Sequence, residues 1–441
     1  MTFADFNLTK PLQNALEDLG FEHATTIQEK TFSIIGSGRD LCAIAQTGTG
    51  KTMAYLLPYL QNYKYQKDKK TNLLILVPTR ELVVQVLEMA KSLSKYMNIA
   101  TVGIYGGANI KINMAEIAAG CDILVATPGR LIDLLSNGTL KPKTIKKIVI
   151  DEFDEMLDLG FRAQINQILE KVSERNQFLL FSATFTEEAE KFVSVNFKNP
   201  IRIEAAPVGT PLENIEQTKY ELPSFFAKID LLKIFLAQKN FEKTIIFAAT
   251  KALADKIFAE LKPEFEDEIG IIHSNKAQNY RFNSINSFQN GSLKALIATD
   301  LVARGIDISS VSHVINFDIP DTAEAYTHRI GRTGRIGKKG EAITFLTFKE
   351  KEGLLAIENY MGLKIEDGKF PENFEVGNYA IEEVVIEIST KTVRLKLKKA
   401  ADYGGAFHEK IDKNKKVNVR RNHMEEKMLK YGRKIKRSGK H

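Results

Sequence analysis

The chain has 441 residues, of which 44% are hydrophobic and 27% charged, an ordinary composition for a globular protein of two or three domains. No apolar run approaches the ~18 residues that span a bilayer, and the N-terminus lacks signal-peptide features, so we expect a cytoplasmic protein without a membrane segment. The net charge of +7 is uneven: residues 401–441 carry 13 Lys/Arg against 5 Asp/Glu, a basic tail that predicts a polyanionic partner such as nucleic acid.

Short apolar runs rich in Val and Ile recur along the chain, each ending in a polar or glycine-rich cluster. The first series is DLCAIAQTGTGKT, NLLILVPTREL, DILVATPGR, KIVIDEFD and FLLFSAT; after residue 240 another series follows, KTIIFAAT, ALIATD, HVINFDIP and AITFLT. Such runs are typical of strands buried on both faces, and the amphipathic stretches between them indicate crossover helices. The sequence therefore predicts an α/β protein with two tandem parallel sheets whose ligands bind beyond the carboxyl ends of the strands.

Changes in composition suggest the domain boundaries. The segment 204–217 contains two prolines and a glycine, which favours a linker, and the strand–helix rhythm fades after about residue 365. The last 41 residues are expected to be largely disordered because of their charge. The predicted divisions are an N-terminal region 1–30, a first domain 31–205, a linker 206–217, a second domain 218–365 and an extension 366–441. Cys42 and Cys121 lie in strand-like runs and are predicted to be buried, reduced thiols.

The segment AQTGTGKT (45–52) lies between a predicted strand and the helical MAYLLPYL, as a phosphate-binding loop does. Gly48 and Gly50 allow backbone N–H groups to turn toward a polyphosphate, and the helix N-terminus adds partial positive charge. Lys51 is predicted to bridge the outer phosphates, and the Thr52 hydroxyl to hold Mg²⁺. The loop residues predicted to contact the nucleotide are Gln46, Thr47, Gly48, Thr49, Gly50, Lys51 and Thr52.

The run KIVIDEFDEML (147–157) ends its predicted strand on adjacent carboxylates. Mg²⁺ on a nucleotide prefers hard oxygen ligands, so Asp151 is predicted to hold the ion, through water. Glu152 can orient and deprotonate the attacking water. Acids at a solvated strand end are the alternative, which the nearby phosphate loop disfavours.

Phe153 stands between these acids. Leu157, Phe161 and Ile165 follow it at a spacing of four, which predicts one apolar helical face with Phe153 as its first buried residue. The alternative is that Phe153 alters the coupling between Asp154 and a later motif.

In this order the motifs resemble those of the DEAD-box family of RNA helicases, from Phe3 to about residue 350, with DEFD in place of DEAD. GFEHATTIQ (20–28) resembles the family's Q motif, which implies that Gln28 reads the adenine edge and Phe3 stacks nearby. The resemblance implies two RecA-like domains, ATP and Mg²⁺ as cofactors, and an RNA-dependent ATPase that unwinds short duplexes or remodels RNA–protein complexes. The chain departs from the family pattern at Thr26, where proline is usual, and at Phe153, where alanine is usual.

The same resemblance implies further roles. PTREL, YGG and TPGR in the first domain, together with AQNYR and ATDLVARGID in the other, are similar to elements that grip the RNA backbone with little sequence specificity. In HRIGRTGR (328–335), Arg332 and Arg335 are implied arginine fingers, and Asp307 an implied nucleotide or interdomain contact. The implied RNA-binding residues are Thr79, Arg80, Gly107, Thr127, Arg130, Arg281 and Thr299. The implied coupling residues are Asp154, Ser182, Thr184 and His328.

The residues alone leave three functions possible. The first is an RNA-dependent ATPase that acts as a monomer; the second is a catalytically weak RNA clamp; the third is a DNA translocase of the same superfamily. The presence of Lys51, Asp151, Glu152, Arg332 and Arg335 argues against the clamp. The Q-motif residues and HRIGRTGR favour the RNA helicase over the DNA translocase.

Overall fold

The computed structural model describes residues 1–46, 48–172, 176–205, 214–300, 311–334 and 339–376. We call the part up to residue 205 the first lobe and the part from residue 214 the second lobe. Thr47, Asp307 and Arg335, most of the predicted linker and the predicted disordered basic tail lie outside the described residues.

The first lobe is built on a seven-stranded sheet. Every strand pair is parallel, as the non-alternating apolar runs predict. Its strands are β1 (Leu41–Ile44), β2 (Leu73–Leu76), β3 (Thr101–Ile104), β4 (Ile123–Ala126), β5 (Lys147–Ile150), β6 (Gln177–Ser182) and β7 (Ile201–Glu204). The spatial order is β3-β4-β2-β5-β6-β1-β7, which brings the strand before the phosphate loop close to the strand before the paired acids.

Helices cover both faces of this sheet, and two apolar cores form between helices and strands. The helices are α1 (Lys10–Asp18), α2 (Thr26–Gly36), α3 (Lys51–Gln61), α4 (Arg80–Leu93), α5 (Ile110–Ala118), α6 (Pro128–Ser136), α7 (Phe153–Asp158), α8 (Arg162–Leu169) and α9 (Glu187–Asn196), with 3-10 turns at Phe3–Phe6 and Pro142–Thr144. Residues of the predicted N-terminal region, among them Phe3, Leu12 and Ile27, are buried in the first of these cores.

The second lobe repeats the architecture. Its strands are β8 (Ile215–Glu221), β9 (Thr244–Phe247), β10 (Ile269–Ile272), β11 (Ala295–Ala298), β12 (His313–Asn316), β13 (Gly340–Leu346) and β14 (Glu366–Asp367), all parallel in the order β10-β11-β9-β12-β13-β8-β14. The described helices are α10 (Phe225–Ala237), α11 (Lys251–Phe265), α12 (Gln278–Gln289), α13 (Ala323–Ile330) and α14 (Lys351–Met361), with 3-10 turns at Glu266–Glu268 and Phe348–Glu350.

Both predicted ends of the second domain need correction. β8 begins at Ile215, inside the predicted linker, because it pairs along its whole length with β13. At the other end, β14 adds to the sheet beside β8, and the Phe370 ring lies 5.4 Å from Phe374 and 5.3 Å from Tyr220. The sheet and core of the second lobe therefore extend past the predicted limit at residue 365.

Phe153 is fully buried, as the packing interpretation predicts. Its ring centroid lies 4.6 Å from that of Phe192 in α9. The predicted continuous helix is wrong, because α7 ends at Asp158 and α8 begins at Arg162. Gly160 between them has φ of 73°, a left-handed conformation that stops a helix.

The two cysteines are free and buried, as predicted. Burial raises the pKa of each thiol to about 12, so neither is a reactive thiolate at neutral pH. Within the part of the chain that the structure describes, no helix combines the length and apolar character needed to cross a membrane.

Candidate active site

The phosphate loop adopts the left-handed backbone that its glycines allow. Gly48 and Gly50 have φ of 80° and 90°, and Gly50 is the N-cap of α3, which begins at Lys51. A Cβ atom added to Gly50 would also clash with the Gln28 amide nitrogen, so that side chain would have to shift. The left-handed backbone at Gly50 therefore favours glycine, and a larger residue would disturb Gln28.

The loop lysine and the second strand-end acid form a buried pair. Lys51 Nζ lies 2.7 Å from Glu152 Oε2, and the two side chains are only 5% and 8% exposed. Burial by itself would lower the pKa of Lys51, but the carboxylates of Glu152, Asp151 and Asp154 outweigh burial and raise it. Lys51 is therefore a cation at neutral pH in a strongly acidic surrounding.

Asp151 is held from two sides. Its Oδ2 accepts a hydrogen bond from the Tyr55 hydroxyl at 2.9 Å, and its Oδ1 accepts one from the Glu152 backbone N–H at 3.0 Å. Burial raises the pKa of Asp151 to about 6; Lys51 opposes this rise and Glu152 adds to it. Tyr55 was not predicted from the sequence, although it lies one helical turn after Lys51 in α3, a spacing that could have indicated it.

A cavity of about 310 Å³ joins the loop, the acids and the N-terminal region, and one arginine of the second lobe reaches it. Its lining combines apolar side chains with the phosphate-loop and acidic residues. The predicted residues that line it are Phe3, Gln28, Gly48, Gly50, Lys51, Thr52, Asp151, Glu152 and Arg332. Gln46 and Thr49 are not among them; the Thr49 hydroxyl donates to the Gln46 carbonyl at 2.8 Å within the loop.

Gln28 braces the N-terminal region against the phosphate loop. Its amide nitrogen donates to the Gly50 carbonyl at 3.2 Å, and its amide oxygen accepts from the Thr25 backbone N–H at 2.9 Å, which also caps α2. The Gln28 side chain is buried and lines the cavity. A ligand contact at Gln28 would thus act directly on the position of the phosphate loop.

Asp154 connects the acidic strand end to the SAT segment (182–184). Its Oδ2 accepts hydrogen bonds from the Ala183 N–H at 3.1 Å, the Thr184 N–H at 2.9 Å and the Thr184 hydroxyl at 3.1 Å. Its backbone N–H donates to the Ser182 hydroxyl at 3.1 Å. Burial opposes ionisation of Asp154, but His328, Lys51 and these donors together lower its pKa. His328 Nε2 of the second lobe lies 3.9 Å from Asp154 Oδ2, so all four predicted coupling residues lie in one cluster.

A second set of contacts joins the lobes at the first turn of α4. Arg281 Nη2 lies 2.6 Å from Glu81 Oε1, the Gln278 amide donates to the same oxygen at 2.8 Å, and Arg80 Nη1 donates to Gln278 Oε1 at 3.2 Å. We call Arg80, Glu81, Gln278 and Arg281 the interlobe clasp. Two residues predicted to bind RNA, Arg80 and Arg281, thus also contact the opposite lobe. Glu81, which pairs with Arg281 and Gln278, was not predicted from the sequence.

The remaining predicted RNA-binding residues lie at strand ends in both lobes. Arg130 donates from Nε to the Tyr105 carbonyl at 3.0 Å and from Nη2 to the Ala108 carbonyl at 2.6 Å. These two hydrogen bonds hold the backbone of the YGG loop in place. Gly107 in that loop has φ of 88°, and a Cβ atom added there would lie 2.6 Å from Arg80 Nη1, so a side chain at this position would displace Arg80. The hydroxyl of Thr79 caps α4 by accepting from the Leu82 N–H at 3.3 Å. Thr127 is the N-cap residue of α6, and Thr299 follows β11.

The first arginine of HRIGRTGR is structural. Arg329 is almost fully buried and makes a two-pronged contact with Asp300, Nε to Oδ1 at 2.6 Å and Nη2 to Oδ2 at 2.7 Å. Its Nη1 donates to the Asp318 carbonyl at 2.8 Å. Arg329 therefore ties together segments that follow β11 and β12 and supports the helix before Arg332.

Comparisons with known proteins agree with this geometry. Residues 25–192 match the family model described as DEAD/DEAH box helicase, and residues 227–337 match the helicase conserved C-terminal domain. The RNA helicase CrhR of Synechocystis sp. is 38% identical over 383 residues, which cover 87% of this chain and 77% of that protein. The DEAD-box ATP-dependent RNA helicase CshA of Bacillus subtilis is 37% identical, covering 84% of this chain and 74% of that one.

A solved structure shows the same fold. The structure of S. cerevisiae Dbp5 bound to RNA and ADP BeF3 superposes with a TM-score of 0.76 at 31% identity, covering 83% of this chain and 95% of that chain. The sequence matches and the shared fold indicate the same family. The chain belongs to the DEAD-box family of ATP-dependent RNA helicases.

Proposed function

We propose that the protein is an RNA-stimulated ATPase whose lobes close on ATP and RNA, and that closure locally opens short RNA duplexes or remodels RNA–protein complexes. One observation carries this proposal: Arg332 of the second lobe lines the same cavity as Lys51, Asp151 and Glu152 of the first. Phosphoryl transfer spreads negative charge over the phosphate oxygens, and an arginine from a facing lobe stabilises that charge only when the lobes are together.

Lys51 and Glu152 have different roles at the nucleotide: Lys51 binds the phosphates, and Glu152 acts on the attacking water. The outer phosphates compete with Glu152 for Lys51, since the two side chains pair at 2.7 Å. Phosphate binding thereby frees the Glu152 carboxylate to orient the attacking water and accept its proton. Arg332 then stabilises the transition state. Asp154, which contacts both the SAT segment and His328 of the second lobe, couples hydrolysis to the relative position of the lobes.

Thr52 and Asp151 fit a role in holding Mg²⁺ with the nucleotide. A hydroxyl and a carboxylate are the hard oxygen donors that this ion takes, and both residues line the cavity. Among the described residues no group of three or more His, Cys, Asp or Glu side chains could hold a metal, so the other ligands would be phosphate and water oxygens. The ion would neutralise charge on the phosphates.

RNA is proposed to run along the strand ends that carry Thr79, Arg80, Gly107, Thr127 and Thr299. Support comes from the family and from the RNA in the Dbp5 structure. Hydroxyl, guanidinium and backbone groups of this kind contact phosphate and sugar rather than base edges, so we propose little sequence specificity. We further propose that the protein acts as a cytoplasmic monomer.

The test is ATPase activity with single-stranded RNA or DNA of equal length and sequence. The proposal predicts strong stimulation by RNA and little by DNA, with Glu152→Gln as the inactive control. Equal stimulation by DNA would instead support a DNA translocase. Hydrolysis without any response to nucleic acid would contradict the proposed closure.

The basic residues 401–441 are proposed to tether RNA electrostatically. They carry 13 Lys/Arg but only three aromatic residues, too few for a stacking platform. A protein ending at residue 400 should bind RNA more weakly and with a shallower salt dependence, yet keep its ATPase rate at saturating RNA. Identical salt slopes for the two proteins would show that the tail only adds solubility.

A further inference from the structure

The helix α4 serves two sites at once. Its first turn carries Arg80 and Glu81 of the interlobe clasp, and Thr79 caps it. One side of its next two turns is formed by Leu82, Gln85, Val86 and Met89. These residues line the cavity of about 310 Å³ that is proposed to bind the nucleotide (the nucleotide cavity), together with Lys51 and Glu152. These four residues follow the spacing i, i+3, i+4 and i+7, so they share one face of the helix.

The helix is suited to pass a displacement from one site to the other. Val83, Val86, Ala90 and Leu93 are buried in the first-lobe core, so α4 packs against that core along its length. Met89 lies nine residues after Arg80, which is about 14 Å along a helix axis. A packed helix of this length moves as a unit, because its side chains cannot deform independently of the surrounding core.

From this arrangement we infer that α4 couples the nucleotide cavity to the interlobe clasp, and that Gln85 and Met89 are the positioning residues through which a bound nucleotide sets the helix. Both side chains are partly exposed, and they line the cavity together with the phosphate-loop residues. A nucleoside triphosphate that contacts them would favour the α4 position in which Arg80 and Glu81 meet Gln278 and Arg281. The inference rests on the proposed function, since it assigns part of the closure to a particular helix.

Linkage makes the inference measurable. If the nucleotide tightens RNA binding by some factor, RNA tightens nucleotide binding by the same factor. A residue that merely contacts the nucleotide changes the nucleotide affinity equally with and without RNA, and leaves that factor unchanged. A positioning residue lowers the factor itself.

The experiment measures RNA affinity by fluorescence anisotropy with and without a saturating non-hydrolysable ATP analogue, and analogue affinity with and without RNA. Gln85→Ala, Met89→Ala and the double variant should each lower the coupling factor roughly threefold or more, within the range known for coupling residues. Met89→Leu, which keeps the volume, should retain it. Glu88→Ala, on the exposed side of the same helix, is the matched control and should match the unsubstituted protein.

The outcomes separate the two proposals. Unchanged coupling in both alanine variants, or an equal loss in Glu88→Ala, would overturn the role of α4 while leaving the closure intact. Absence of coupling in the unsubstituted protein would refute the proposed closure itself. Thermal melting of each variant checks folding, and a variant that melts early is replaced by Gln85→Glu or Met89→Val for the same comparison.

Discussion

Phe153→Ala tests whether the ring in the DEFD segment is a packing residue. The side chain is fully buried, and its ring centroid lies 4.6 Å from that of Phe192. The Phe192 ring in turn lies 6.3 Å from the Phe197 ring. Truncating a buried phenylalanine costs about 3–5 kcal/mol, and the lost ring pair with Phe192 places this site above the lower end of that range. The expected loss of stability in the first lobe is therefore about 4 kcal/mol.

The assay follows the first-lobe transition by thermal melting and by urea unfolding. A loss of this size lowers the melting temperature of a lobe of about 200 residues by about 8–16 °C. Phe153→Leu is the matched control and should lose much less, since most of the volume is kept. At a temperature where all three proteins are folded, the RNA-stimulated ATPase should stay within about twofold, because Phe153 is not among the residues lining the nucleotide cavity.

One result would refute this reasoning. If Phe153→Ala had the same melting temperature as the unsubstituted protein but lost duplex unwinding, the ring would act on the coupling between Asp154 and the SAT segment. A small stability loss with normal unwinding would show instead that neighbouring side chains refill the space.

Further predictions concern the nucleotide site. Lys51→Ala should weaken ATP binding roughly tenfold or more, whereas Glu152→Gln should bind ATP nearly normally and hydrolyse it about 10²–10⁴-fold more slowly, because the glutamate acts in the chemical step; near-normal turnover by Glu152→Gln would disprove its role as general base. The protein should prefer ATP over GTP by at least roughly tenfold in kcat/KM, because the Gln28 amide matches the donor and acceptor on the adenine edge; equal use of the two nucleotides would exclude that role. At limiting Mg²⁺ the ATPase rate should fall as pH drops through about 6, since burial raises the pKa of Asp151 to about 6 and the protonated carboxyl is a poor ligand. A higher Mg²⁺ concentration favours the ionised carboxylate and should therefore move this midpoint to lower pH. A midpoint that does not change with Mg²⁺ concentration would show that Asp151 does not help to hold the ion.

Much of the fold was predictable because parallel strands leave a strong local signal. Runs such as LLILV and KIVI are short, apolar and non-alternating, and the polar residues that follow them lie beyond the carboxyl ends of parallel strands, as expected. The positions of Gly48 and Gly50 followed from local chemistry as well, since only glycine adopts their backbone conformation freely.

Most of the errors and omissions concern contacts between distant residues. The pairing of Glu81 with Arg281 joins positions 200 residues apart, and nothing local in either segment indicates it. The role of Arg130 in holding the YGG loop depends on backbone carbonyls, which carry no sequence signal. β14 has only two residues and is stabilised by its edge position beside β8, so no periodicity could reveal it. The break at Gly160 could have been read from the sequence, but the apolar spacing of four masked it.

The central claim is that the second lobe completes the ATPase site, and Arg332→Ala tests it most directly. Single-turnover hydrolysis of ATP at saturating RNA should fall about 10³-fold or more, the range for an arginine supplied to a phosphoryl-transfer site. Arg39→Ala, on an exposed arginine of the first lobe, should keep the normal rate. If Arg332→Ala hydrolysed ATP with RNA stimulation close to that of the unsubstituted protein, the two lobes would not share one catalytic site.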